Sequence, residues 1–145
     1  MTFDEDEGYY RNRHSVYLLQ YHLVVVTKYR HPVIRGSLRD RLLELSHRVL
    51  EEKWKCHISA MNTDGDHIHI LFETSPQTQL SVLANNYKTV TSRYLRKEFE
   101  KELRPYYWKP YFWSDSYFIC TVSDRTEEMV KRYIENQGKR KYSRG

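Results

Sequence analysis

The strongest constraint on the fold lies mid-chain, in residues 54–73, WKCHISAMNTDGDHIHILFE. Two strand-like runs, WKCHISAMN (54–62) and HIHILFE (67–73), flank Thr63-Asp64-Gly65-Asp66. Asp-Gly between such runs is a hairpin signal. Upstream, SVYLLQYHLVVVTKY (15–29) is rich in β-branched and aromatic residues and reads as one long strand. The segment from Arg30 to Gly36 breaks it, and Ser37 with Asp40 resembles a capping box. Leu38, Leu42, Leu45 and Val49 then share one face of a helix that runs to about residue 52. Downstream of the hairpin, Leu80, Leu83, Tyr87, Val90, Tyr94 and Phe99 set the phase of a second helix over 79–102. An aromatic, proline-broken connection, PYYWKPYFWSD (105–115), leads to a fourth strand, SYFICTV (116–122), and a last helix over about 125–138. Residues 1–12 read as a mobile arm and 139–145 as a basic tail.

The order β-α-β-β-α-β predicts an α+β fold of the ferredoxin-like split type. Its four-stranded antiparallel sheet carries helices on one face, and the C-terminal helix is an addition. No repeat or low-complexity linker divides the chain, so 1–145 is expected to be a single domain. Hydrophobic residues make up 39% and charged residues 30%, which excludes a disordered chain. No apolar run approaches the ~20 residues of a membrane span. The start, Met1 to Gly8, is too acidic for a signal peptide. Cys56 and Cys120 are too few for a disulfide framework, and a cytoplasmic protein with reduced thiols is expected. The net charge of +5 suits a polyanion such as nucleic acid, and it equally serves solubility. Thirteen tyrosines suit stacking on unpaired bases, although they are also ordinary strand residues.

Three groups of residues could carry chemistry. In a strand, His67 and His69 point to one face while Ile68 points to the helices. Two adjacent imidazoles can clamp a metal, or they are surface histidines on a solvated sheet. Asp64 and Asp66 lie beside them, as ligands, as supporting groups, or simply as turn residues. In VKRYIENQ (130–137), Tyr133 and Gln137 sit one helical turn apart, about 6 Å along the axis. They could be a nucleophile and an oxygen ligand, or Tyr133 could belong to an apolar stripe with Met129, Val130 and Ile134. Lys88, Arg93, Arg96 and Lys97 on the second helix, with Lys28 and Arg30 after the first strand, could contact phosphates or be solvated. There is no glycine-rich phosphate loop, no zinc-finger spacing and no G-x-S-x-G motif.

Together these segments resemble the single-tyrosine transposases of the HUH nuclease superfamily, from about Tyr21 to Gln137. YHLVVVTKYRHPVIRG (21–36) is similar to the opening strand of that family, and DHIHILFE (66–73) to its histidine-hydrophobic-histidine motif. SYFICTVSD (116–124) resembles its last strand and VKRYIENQ its nucleophile helix. Ser123-Asp124 departs from the glycine common in relatives, at a helix cap. The resemblance implies Tyr133 as nucleophile and His67, His69 and Gln137 as ligands of magnesium or manganese. Asp64 becomes a candidate ligand or helper. It also implies cleavage and rejoining of single-stranded DNA at element ends, hairpin recognition and a 5′-phosphotyrosine intermediate. A homodimer with shared active sites is implied too, with no nucleotide cofactor and no membrane partner. Two other readings remain at this point. A binding module of the same fold would keep the basic surface without catalysis, and a metal hydrolase would use the histidines without Tyr133.

Overall fold

The computed structural model describes residues 2–142, with side chains through Gln137. Among the described residues, seven strands form two sheets. β1 (Thr2–Asp4), β2 (Tyr9–Arg11) and β3 (Val16–Tyr17) make a small antiparallel sheet. The main sheet contains β4 (Leu19–Val26), β5 (His57–Asp64), β6 (His67–Thr74) and β7 (Phe118–Thr121), in the order β5-β6-β4-β7. Every pairing in it is antiparallel, as the split β-α-β-β-α-β arrangement requires. The helices are α1 (Gly36–His47), α2 (Leu80–Glu98), the short α3 (Glu100–Leu103) and α4 (Thr126–Tyr142). The basic tail expected at 139–145 falls on side chains outside the described residues.

Period two divides the residues of the main sheet between its faces. Leu23 and Val25 of β4 lie opposite Ile70 and Ile68 of β6, and all four are fully buried with Leu42, Leu83, Tyr87 and Leu95 of α1 and α2. Val24 and Val26 face the other way, against Val130 of α4. The continuous run Leu23-Val24-Val25-Val26 is therefore apolar because β4 is covered on both faces. β6 alternates instead: Ile68 and Ile70 are buried, whereas His67 and His69 are only half-buried.

Several boundaries differ from the sequence reading. The long strand expected over 15–29 divides at Leu18, with β3 in the small sheet and β4 in the main one. Thr2–Asp4 and Tyr9–Arg11, expected within a mobile arm, form strands joined by a turn instead. The arm is pinned by the Tyr10 hydroxyl, which donates to Glu73 at 2.7 Å, and by stacking of Tyr10 on Tyr17. The helix expected to start with a Ser37/Asp40 box has Arg35 at its cap, with no side-chain cap bond. Its last turn widens to a π-turn over Arg48–Lys53. The second helix breaks at Phe99, whose backbone leaves helical geometry between α2 and α3.

Candidate active site

The β5–β6 hairpin delivers the histidine pair. Its register pairs Asp64 with His67 and Asn62 with His69, so the loop is Gly65-Asp66. Gly65 packs closely on the segment before α1: a Cβ there would sit 3.2 Å from the Pro32 side chain. The following carboxylate, Asp66, accepts from His67 Nδ1 at 2.8 Å and from Arg30 Nε at 3.1 Å. Burial raises the Asp66 carboxyl, but the bonds from His67 and Arg30 outweigh it and hold the group below its ordinary range. With Nδ1 of His67 engaged, Nε2 is the nitrogen left to bind a ligand. Asp66 thus orients His67 and is more than a turn residue. Asp64 caps the turn, accepting from Gly65 N–H at 2.8 Å.

Arg30 reaches Asp66 from a strained turn. Tyr29 and Arg30 both hold left-handed backbone, at φ 62° and 54°. The turn is tied down by Lys28 N–H donating to Phe112 O at 2.8 Å and the Tyr107 hydroxyl donating to Lys28 O at 2.7 Å. His69 has a different neighbour, because His22 Nδ1 lies 2.6 Å from His69 Nε2. Burial lowers both rings' basicity, so each favours the neutral form that can ligate a metal.

α4 lies on this same sheet face, over β4 and β7. The Tyr133 ring packs on Phe118 at 5.3 Å, and its hydroxyl shares a 2.7 Å hydrogen bond with Ser116. Ser116 Oγ also donates to Gln137 Oε1 at 3.3 Å, while Gln137 Nε2 is buried without a hydrogen-bond partner. The helix turns Glu127, Lys131 and Glu135 toward a groove of about 560 Å³ shared with His67, Asp66 and Arg30. The strand order puts β4 between β6 and β7. Tyr133 packs with Val24 and Val26, the β4 residues opposite His69 and His67, so the tyrosine and the histidine pair share one sheet face.

The donor set fits a divalent ion in part. Two imidazoles on one sheet face, one of them with an oriented nitrogen, suit such an ion. Among the described residues, no three His, Cys, Asp or Glu side chains gather to hold a metal. The cations divide as well. Lys28 bonds Asp115 at 3.1 Å and Arg30 bonds Asp66, both at the histidine end of the sheet. Arg93, Arg96 and Lys97 lie on α2, behind the opposite face. Lys88 is turned inward, donating to Ser114 O at 2.7 Å and Ser116 O at 3.1 Å, and burial lowers its basicity. Its ammonium ties α2 to the loop before β7. His22 and Ser116 are site neighbours that the sequence reading does not name, whereas of the alternatives open for Asp66 the geometry favours the supporting group. The one available signal was the even spacing of His22 with Val24 and Val26, which puts it on the histidine face.

Comparisons with known proteins show the family and the fold. Residues 15–137 match the family described as Transposase IS200 like. The chain is 30% identical over 127 residues to the ISDra2 transposase TnpA of Deinococcus radiodurans, covering 88% of this chain and 89% of that one. It is 29% identical over 125 residues to the transposase for insertion sequence element IS200 of Salmonella typhimurium, covering 86% and 80%. A crystal structure assigned to a transposase of Deinococcus radiodurans R1 superimposes with a TM-score of 0.80 at 30% identity, over 88% of this chain and 97% of that one.

Proposed function

The chain belongs to the IS200-like transposases, single-tyrosine members of the HUH superfamily, and we propose that it cleaves and rejoins single-stranded DNA through a phosphotyrosine at Tyr133. The observation that carries this reading is the shared sheet face. His67, oriented by Asp66 and Arg30, stands on the face where α4 carries Tyr133 and Gln137. In the step proposed, the Tyr133 phenol oxygen forms a bond to phosphorus and gives up its proton. The bond from phosphorus to the 3′ oxygen breaks, and that oxygen takes up a proton and leaves as a 3′-hydroxyl. The 5′-phosphotyrosine conserves the bond energy, so a later 3′-hydroxyl can reverse the step and join strands without a nucleotide cofactor.

His67 and His69 would hold magnesium or manganese, with Gln137 as an oxygen donor. When bound, the ion offsets charge on the scissile phosphate. Because Gln137 and Tyr133 rest at Ser116, we take the helix that completes each histidine pair to be the partner's α4, in a two-fold dimer. The small core joining α4 to the sheet supports this: among the described residues its buried members are Val24, Val26 and Val130, with Phe118, Tyr133 and Ile134 partly buried against them. The substrate proposed is a hairpin with unpaired bases at an element end. Trp108, 81% exposed beside Lys109 at 4.7 Å, is available to stack on such a base.

The test is Tyr133→Phe. The ring keeps its packing on Phe118, so folding and hairpin binding should persist while cleavage and the covalent adduct disappear. Mass spectrometry of the wild-type adduct should find the nucleotide on the peptide containing Tyr133. Adduct on another tyrosine, or cleavage by the phenylalanine variant, overturns the mechanism.

A further inference from the structure

The two histidines of the clamp are held in different ways. Asp66 takes Nδ1 of His67, whereas His22 takes Nε2 of His69. His22 stands opposite Leu71 on one side and Cys120 on the other, diagonal to His69 across the β4–β6 ladder. The ring centroids of His22 and His69 are 4.8 Å apart, and both rings are part-buried. We propose that His22 is a positioning residue that accepts the Nε2 proton of His69 on its own Nδ1, so that His69 offers Nδ1 to the metal while His67 offers Nε2. A histidine that ligates through one nitrogen donates from the other, and the acceptor fixes both tautomer and ring orientation. Asp66 does this for His67 with a carboxylate. His22 does it for His69 without adding a negative charge, so the pair's orientation does not depend on a second anion near the incoming phosphate.

The inference rests on the metal reading above for its ligand half, but the tautomers can be measured without metal. Nitrogen-15 NMR of the metal-free protein should find His69 and His22 both protonated at Nε2 and bare at Nδ1. A proton on Nδ1 of His69 overturns the proposal whatever the metal does. Manganese titration, followed by electron paramagnetic resonance, tests the consequence. His22→Phe keeps a ring in the slot but cannot accept, and should weaken manganese binding at least about tenfold. His22→Asn places an acceptor near the Nδ1 position and should recover most of the affinity. Circular dichroism confirms that each variant is folded. If His22→Phe fails to fold, the asparagine variant and the wild-type tautomers still decide. Wild-type affinity in folded His22→Phe sinks the positioning role. Manganese binding that survives His67→Ala sinks the metal reading itself and leaves the His22–His69 hydrogen bond to stand or fall on the NMR.

Discussion

Asp66 and Lys88 are polar residues whose sequence context gives one meaning and whose partners give another. Asp66 looks like turn chemistry, yet it links Arg30 to His67. Asp66→Asn keeps the shape and removes the charge, so Arg30 loses its counter-ion and His67 its strong acceptor. Manganese affinity should fall roughly ten- to a hundredfold, as for other residues that orient metal-bound histidines, while hairpin binding is retained. Calorimetry or spin-resonance titration would read it, and an unchanged affinity would remove Asp66 from the site. Lys88 looks like a phosphate contact but satisfies two backbone carbonyls, Ser114 O and Ser116 O. Lys88→Met should cost about 1–3 kcal/mol of stability through those orphaned acceptors, seen as a lower denaturant midpoint. The salt dependence of DNA binding should not change, since Lys88 neutralises no phosphate on this reading.

The elements differ in how firmly they are held. β4 is paired on both sides, by β6 and β7, and its Leu23–Val26 run is fully buried. α4 meets the sheet through a much smaller apolar cluster with Val130 at its centre, helped by the Ser116–Tyr133 hydrogen bond. Local opening follows buried apolar contact, so α4 should leave the sheet at a lower free energy than the sheet itself unfolds. Hydrogen exchange should find amides of α4 protected well below those of β4 and β6. Equal protection would mean that the helix opens only with global unfolding, against its serving another subunit. The sequence placed all four main strands and three of the helices within a few residues. It could not place the break at Leu18, because the apolar and aromatic run continues through it.

For the whole molecule, no helix among the described residues is long and apolar enough to cross a membrane. The cations Lys28 and Arg30 lie at the histidine end of the sheet, paired with Asp115 and Asp66. The molecular-scale expectation concerns assembly. Tyr133→Phe chains and His67→Ala chains should each be inactive. Mixed under conditions of subunit exchange, they should recover part of the wild-type cleavage, because a heterodimer would join an intact helix to an intact histidine pair. A gel assay for strand cleavage measures it. Continued inactivity, with exchange confirmed by native mass spectrometry, would assign Tyr133 to its own subunit's site.

What the sequence determined alone was whatever short-range geometry controls. Period two put His67 and His69 on one face and Ile68 and Ile70 on the other. Helical spacing put Gln137 beside Tyr133, and the order of apolar segments specified the sheet. The uninterrupted Leu23-Val24-Val25-Val26 run fits a strand, but that α4 covers the second face of β4 is seen only in the fold. The tertiary structure decided which of those residues meet. His22 reaches His69 only through the β4–β6 register, across a diagonal between residues 47 positions apart. Tyr10 reaches Glu73 only because the first strands fold back over the end of the main sheet. Tyr133 rests at Ser116 because α4 lies over β4 and β7, leaving β6 and its histidines beside the groove. Such contacts depend on the summed packing of distant elements, and no local pattern in the chain encodes that sum.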